Sequence, residues 1–425
     1  MGHRVGTRRR LRGKTPRLLS LVGLVAVLTA GAALTQDGGG VLLTFGIDQR
    51  ISWADNPDLD IPPTGDSVRF DTRLSFGFVS ETPSDRLAFN LGTTVRGEDD
   101  GSGLGFSLNS PSAELSYTRS GPSSSLTLSA FMREADLGDG LTLIEGADGE
   151  PPVLAFENGT ARTKGIRLAY NWGEGAPLGG AFRAGLTDTD YLNTTDPDLV
   201  DNRTVTVGAG LRFALNEVTD ATLDLDHRRY DEDGPAAAED STTLSAGIVR
   251  ALPRGSLRAK LSTTRDEDGT RTGLSFGRVV DLPRGSLSFD LGLTETTGGG
   301  VDTTGALSWR QDLANGALSA KLSRAVANDT DNAETLVTAL SVGMTRELGP
   351  RLSLNLGASW TQSEKRATGL TTESTSLDAS LSYALTEDWA MNFGASHKVK
   401  DEDVVGKADS SSVFLSVGRK FEWRP

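Results

Sequence analysis

Residues 251–295 read ALPRGSLRAKLSTTRDEDGTRTGLSFGRVVDLPRGSLSFDLGLTE. The turn Leu-Pro-Arg-Gly-Ser-Leu occurs twice, at 252–257 and at 282–287, a spacing of 30 residues. Between the copies stands an acidic run, Asp266-Glu267-Asp268-Gly269. After the second copy, Leu287, Phe289, Leu291 and Leu293 alternate with Ser288, Asp290 and Gly292. A period of two places one set on each face of a strand. The unit is turn, strand, loop, strand, turn, so the repeat is one hairpin and the fold grows by adding hairpins.

Outward from this stretch the pattern hardly changes. Val205, Val207, Ala209, Leu211 and Phe213 alternate with Thr204, Thr206, Gly208, Gly210 and Arg212; Leu352, Leu354, Leu356, Ala358 and Trp360 alternate with Ser353, Asn355, Gly357 and Ser359. A soluble sandwich would alternate as well. The connections separate the two. Short turns, such as Thr82–Asp85, Gly121–Ser123, Leu313–Gly316 and Leu385–Asp388, take turns along the chain with longer acidic ones, such as Asp55–Asp66, Leu137–Asn158 and Asn193–Asn202. Short turns on one rim and long loops on the other are the asymmetry of a transmembrane β-barrel. The expected fold is all-β: one antiparallel transmembrane barrel of about 20 strands, 18 or 22 if a hairpin is miscounted. It runs from near Val41 to near Trp423 and, with an even count, has both ends on the periplasmic side.

Composition agrees. The 425 residues include no Cys and 50 Gly, with 37% hydrophobic residues, too few for several spanning helices of roughly 20 apolar residues each. Seven basic residues and no acidic ones lie in Met1–Arg17, followed by an apolar run, Leu18–Ala30, and a small-x-small site, Ala30-Gly31-Ala32. This is the form of an export signal, so residues 1–32 are expected to be removed and 33–425 to form the barrel. Without those seven cations the net charge falls from −14 to −21. So acidic a chain is a poor partner for nucleic acid, which needs basic patches.

All six Trp fall toward expected strand ends: Trp172, Trp309, Trp389 and Trp423 on the periplasmic side, Trp53 and Trp360 on the surface side. Rings with an apolar body and one polar edge belong at the two membrane interfaces. Arg229, Arg278 and Arg419, on the lipid face, also sit near strand ends. The chain closes on Ser416-Val417-Gly418-Arg419-Lys420-Phe421-Glu422-Trp423. Ser416, Gly418, Phe421 and Trp423 resemble the C-terminal assembly signal of bacterial outer-membrane barrels, and the mature chain resembles a porin-like member of that group. It departs from the pattern by adding Arg424-Pro425. The resemblance implies the outer membrane of a Gram-negative cell, recognition by the barrel-assembly machinery, contact with lipopolysaccharide, and either a monomer or a homotrimer.

A barrel this wide is a channel or is plugged. The first strand begins about 10 residues after Ala32, so the expected plug, if any, is a loop. The longest is the third surface loop, 137–158, with Glu145, Asp148 and Glu150 among apolar residues. In porins this loop folds inward and faces a basic wall. Inward-facing cations here are expected to include Arg69, Arg73, Arg96, Arg167, Arg183, Arg212, Arg258, Lys260 and Lys321. Opposed charges across a pore set up a transverse field. The competing reading has the loop lie over the mouth and the cations pair with Asp71, Glu114, Asp224, Asp226, Asp290 and Asp378. The expected function is passive passage of small hydrophilic solutes or ions; the alternative is a structural or adhesive barrel acting through its acidic loops. No cofactor or metal is expected, since the acidic loops match no calcium-binding loop. No enzyme is expected either: only His227 and His397 follow residue 32, both on the lipid-facing parity.

Overall fold

The computed structural model describes residues 40–63, 65–99, 104–137, 142–144, 153–155, 159–194, 199–234, 237–267, 269–295, 300–328 and 334–425. The proposed export signal, 1–32, and Glu145, Asp148 and Glu150 lie outside the described residues. The strands are β1 Gly40–Asp55, β2 Asp66–Glu81, β3 Asp85–Asp99, β4 Leu104–Ser120, β5 Ser124–Asp136, β6 Thr142–Ile144, β7 Val153–Ala155, β8 Thr160–Trp172, β9 Leu178–Leu192, β10 Asn202–Asn216 and β11 Thr219–Glu232. There follow β12 Glu239–Leu252, β13 Gly255–Arg265, β14 Thr270–Leu282, β15 Gly285–Glu295, β16 Val301–Leu313, β17 Gly316–Asn328, β18 Glu334–Gly349, β19 Leu352–Lys365, β20 Thr371–Ala384, β21 Trp389–Glu402 and β22 Gly406–Trp423. β6 and β7 pair only with each other, as a short hairpin inside the 137–158 loop.

The other twenty strands form one antiparallel sheet. Each pairs with the strands before and after it, and β22 returns to β1, from Leu43↔Trp423 to Ala54↔Ser412. Closure leaves no unpaired edge, which a membrane would not tolerate. The expected strand count and hairpin order are those observed. No helix is among the described elements.

The repeated turn has a steric basis. Gly255, Gly285 and Gly316 open β13, β15 and β17 with φ of +101°, +140° and +153°. A Cβ at these positions would run into the carbonyls of Val279, Arg310 and Thr345 on the next strand. Glycine alone combines the positive φ with that approach. Pro253 and Pro283 fix the φ of the residue that begins the turn.

In β4, Pro111 stands where a ladder amide would be. The register passes from Gly92↔Ser112 to Thr94↔Asn109, leaving one residue of β3 opposite two of β4, with Ser110 at φ +51°. This bulge accommodates proline. It also switches parity, so Phe106 and Leu108 face outward on even numbers while Leu115 and Tyr117 do so on odd ones. Without it, half of β4 would turn its apolar set into the lumen.

Large apolar side chains cover the outside: Phe276 is 58% exposed, Leu291 64% and Phe393 53%. Such a continuous apolar band is what lipid contact requires. The buried apolar side chains are few among the described residues: Leu59, Leu137, Ala161, Leu199, Tyr230, Leu336, Val337 and Ala408. All lie at or near the long-loop rim. No described apolar core occupies the middle of the barrel.

Candidate functional site in the barrel lumen

The inward face is assembled by register. One row crosses the wall as Gly46, Ser75, Gly92, Ser112 and Arg133. Another runs Ser319, Gly343, Gly357, Asp378, Ser396 and Ser412. Small hydroxyls and glycines keep the lumen wide and wet, and charged residues punctuate them. A third row places Arg50, Asp71 and Arg96 side by side on β1, β2 and β3.

All nine cations expected on the basic wall face inward, but their surroundings differ. Arg96 donates Nε to Asp71 at 2.9 Å, with both side chains largely buried. Arg183 reaches Asp226 at 2.9 Å and Asp224 at 3.5 Å. Arg258 forms a two-bond pair with Asp290. Arg167 stacks 4.7 Å from the Phe131 ring. Arg212 donates to Asp220 and to the carbonyls of Gly173 and Ala176, and so ties down the periplasmic turn before β9. Arg69 binds Asp58 at 3.2 Å and anchors the first surface loop. For these last two a structural role is evident from their partners, which sequence could not supply. Lys260, Lys321 and Arg73 have no carboxylate oxygen within 4 Å among the described residues.

Four of the six acids in the competing reading, Asp71, Asp224, Asp226 and Asp290, do pair with arginines. Glu114 has no cation partner among the described residues, and Asp378 accepts from Ser376 at 2.8 Å. The pairing expected in the competing reading thus holds for four of its six acids, and the loop acids of the other reading lie outside the described residues.

Sequence reading missed three inward groups. Arg50 lies 3.7 Å from the centroid of Phe414, an inward phenylalanine on β22. Phe131 on β5 likewise faces inward and carries Arg167. Each ring lies over a cross-strand glycine, Gly394 beneath Phe414 and Gly165 beneath Phe131, where a Cβ would collide with the ring. The signal for Arg50 was present, since Asp48, Arg50 and Ser52 alternate with the outward Ile47, Ile51 and Trp53.

The third surface loop springs from a small apolar knot. Leu137, fully buried, packs with Ala161 and Leu199, and Tyr191 leans on it. On the lipid face, Arg419 stacks 4.1 Å from Phe421 and 5.4 Å from Trp389. In the C-terminal motif, Ser416 and Gly418 face inward while Phe421 and Trp423 face outward, opposite Phe45 and Leu43. His397 Nδ1 lies 3.1 Å from Ser411 Oγ and His227 Nδ1 3.0 Å from Thr242 Oγ1, all on outward positions. No group of three or more His, Cys, Asp or Glu among the described residues is arranged to hold a metal ion.

No family model and no curated protein matches the chain. Among solved structures it is similar to the ferric enterobactin receptor of Pseudomonas aeruginosa. One variant of that receptor superposes with a TM-score of 0.52 at 11% identity, over 91% of this chain and 81% of that one. A second variant, in complex with enterobactin, gives a TM-score of 0.52 at 11% identity over 91% and 82%. The chain has the fold of an outer-membrane β-barrel. At that identity the likeness is one of fold, and the chain differs from those receptors in nearly nine residues of ten.

Proposed function

We propose that this outer-membrane barrel is a channel for small hydrophilic solutes or ions, passed by diffusion. The observation that carries this reading is the lumen wall: twenty strands whose inward residues are mostly Ser, Thr, Gly and paired charges, with no described apolar core at mid-barrel. A closed sheet of this size is too wide for such side chains to fill. The fold is shared with a receptor for ferric enterobactin.

On this reading residues 1–32 direct export, Ser416, Gly418, Phe421 and Trp423 present the last strand to the assembly machinery, and lipopolysaccharide surrounds the outer-leaflet half. The loop 137–158 is the proposed constriction, with Glu145, Asp148 and Glu150 facing the basic wall. The test is conductance of the refolded chain, without residues 1–32, in a planar lipid bilayer. Discrete open steps are expected, and deletion of residues 140–151 is expected to raise their size. Silence from protein shown to be folded by heat-modifiable gel mobility would overturn the channel and favour a structural or adhesive barrel.

A further inference from the structure

We infer that one sector of the lumen wall, centred on Arg50 of β1 and Arg73 of β2, is a binding station for small oxyanions bearing carboxylate or phosphate groups. The inference rests on the channel reading and names its solute class.

How each arginine is held decides whether its charge is free to act. An inward arginine paired with aspartate is fixed but neutralised, as Arg183 and Arg258 are. Arg50 is fixed differently. The acid opposite it, Asp71, already accepts from Arg96 at 2.9 Å and is 8% exposed. The guanidinium rests on the face of Phe414, 3.7 Å from the ring centroid, and no carboxylate oxygen lies within 4 Å among the described residues. An aromatic face attracts the cation and orients it without removing its charge. The N–H edge remains available to an oxyanion, which a guanidinium binds by parallel hydrogen bonds.

The platform is itself locked. Phe414 lies across from Gly394, and a Cβ there would occupy the ring's place. Glycine opposite an aromatic ring is a recess that holds the ring against the sheet.

Arg73 supplies the second cation. It stands two residues from Asp71 on the adjacent strand, diagonal to Arg50, a relationship that separates Cα atoms by about 7–8 Å. Two long side chains at that spacing can converge on one anion. Asp48, the register partner of Arg73, is drawn aside over Gly418, where a Cβ would stand 2.8 Å from its Oδ2. Lys260 and Lys321 also lack carboxylate partners, but the inward cation beside each, Arg258 two residues along β13 and Arg310 diagonal on β16, is itself paired, with Asp290 and Asp312.

The test uses the refolded barrel in a planar bilayer, with inorganic phosphate as the probe. Added phosphate is expected to reduce the chloride current saturably. Arg50→Gln and Arg73→Gln, each checked for folding by heat-modifiable mobility, are expected to abolish saturation and lower the chloride-to-potassium permeability ratio about threefold, the scale of a solvent-screened charge contact. Phe414→Leu keeps both charges and is expected to weaken the phosphate effect with little change in the permeability ratio. Lys164→Gln, which removes a cation from the outward face, should move neither readout. Saturable inhibition that survives both arginine substitutions overturns the station and leaves the channel standing. A folded protein with no conductance overturns both.

Discussion

Phe45 of the first strand and Phe421 of the last are register partners across the seam that closes the barrel. Phe45 also meets Phe76 on β2, with ring centroids 5.1 Å apart, and Phe76 meets Phe89 on β3 at 6.3 Å. Ring contacts thus run over three strands, and register sets Phe421 beside them where the chain's two ends join. Aromatic pairs contribute about 0.5–1.5 kcal/mol beyond the area they cover. Phe421→Ala, which removes the ring that Arg419 covers, is expected to lower stability by about 0.5–1 kcal/mol and to slow membrane insertion, read by urea titration in liposomes and by the rate at which the heat-modifiable band forms. Unchanged insertion would remove Phe421 from the assembly signal.

Gly255 and Gly285 each hold a positive φ beneath a neighbouring carbonyl. Alanine at either position meets both a strained backbone and a collision, a cost of about 1–3 kcal/mol per residue held in such a conformation. Each single variant should shift the urea midpoint downward without changing the pore. Alanine at Gly349 or Gly234, where a Cβ would meet nothing within 4 Å, should be tolerated far better.

Asp71 is shared ground between Arg96, which it binds, and Arg50, which it faces. Asp71→Asn removes the only inward carboxylate in that row. Removing the charge that holds the largely buried Arg96 at 2.9 Å should destabilise the barrel by about 1–3 kcal/mol. The same change raises the positive charge of the sector, so the chloride preference should increase, opposite in sign to Arg50→Gln. A fall in chloride preference would contradict the placement of these groups in the conducting path.

Asp403, in the surface turn between β21 and β22, accepts the backbone N–H and the hydroxyl of Thr371 at 2.8 Å each. The backbone bond first, then the hydroxyl, holds its carboxyl below the usual Asp value. A depressed folded-state pKa means the clamp's contribution is complete above the unfolded value, near 3.9, and is lost as pH falls through the folded one. Carboxyl NMR of the barrel in micelles should show Asp403 titrating below about 3.9. In Thr371→Val the midpoint should rise only partly toward that value, because the larger contribution, from the backbone N–H, remains.

Much of this was legible in the chain. Alternation is local: Leu287, Phe289, Leu291 and Leu293 declare their face with no knowledge of neighbours. Turn chemistry is local as well, so the twin Leu-Pro-Arg-Gly turns set the hairpin length and, repeated, the strand number. The C-terminal motif could be read for the same reason, because its inward small residues and outward rings obey one period. Even the bulge left a trace, in Pro111 standing between an even-numbered and an odd-numbered apolar series.

Partnership was not legible. Whether Asp71 would neutralise Arg50 or Arg96 depends on side-chain reach across two strands, and Arg366 reaches Asp302, 64 residues away, from a different surface loop. The seating of Arg50 on Phe414 joins the two ends of the sequence, and it exists only because β22 closes onto β1 in one register; a slip of one residue would send Phe414 to the lipid. A two-residue period, present in the chain alone, fixes which face each residue takes. Which inward charges are cancelled and which remain follows from long-range register, and that exists only once the barrel has closed.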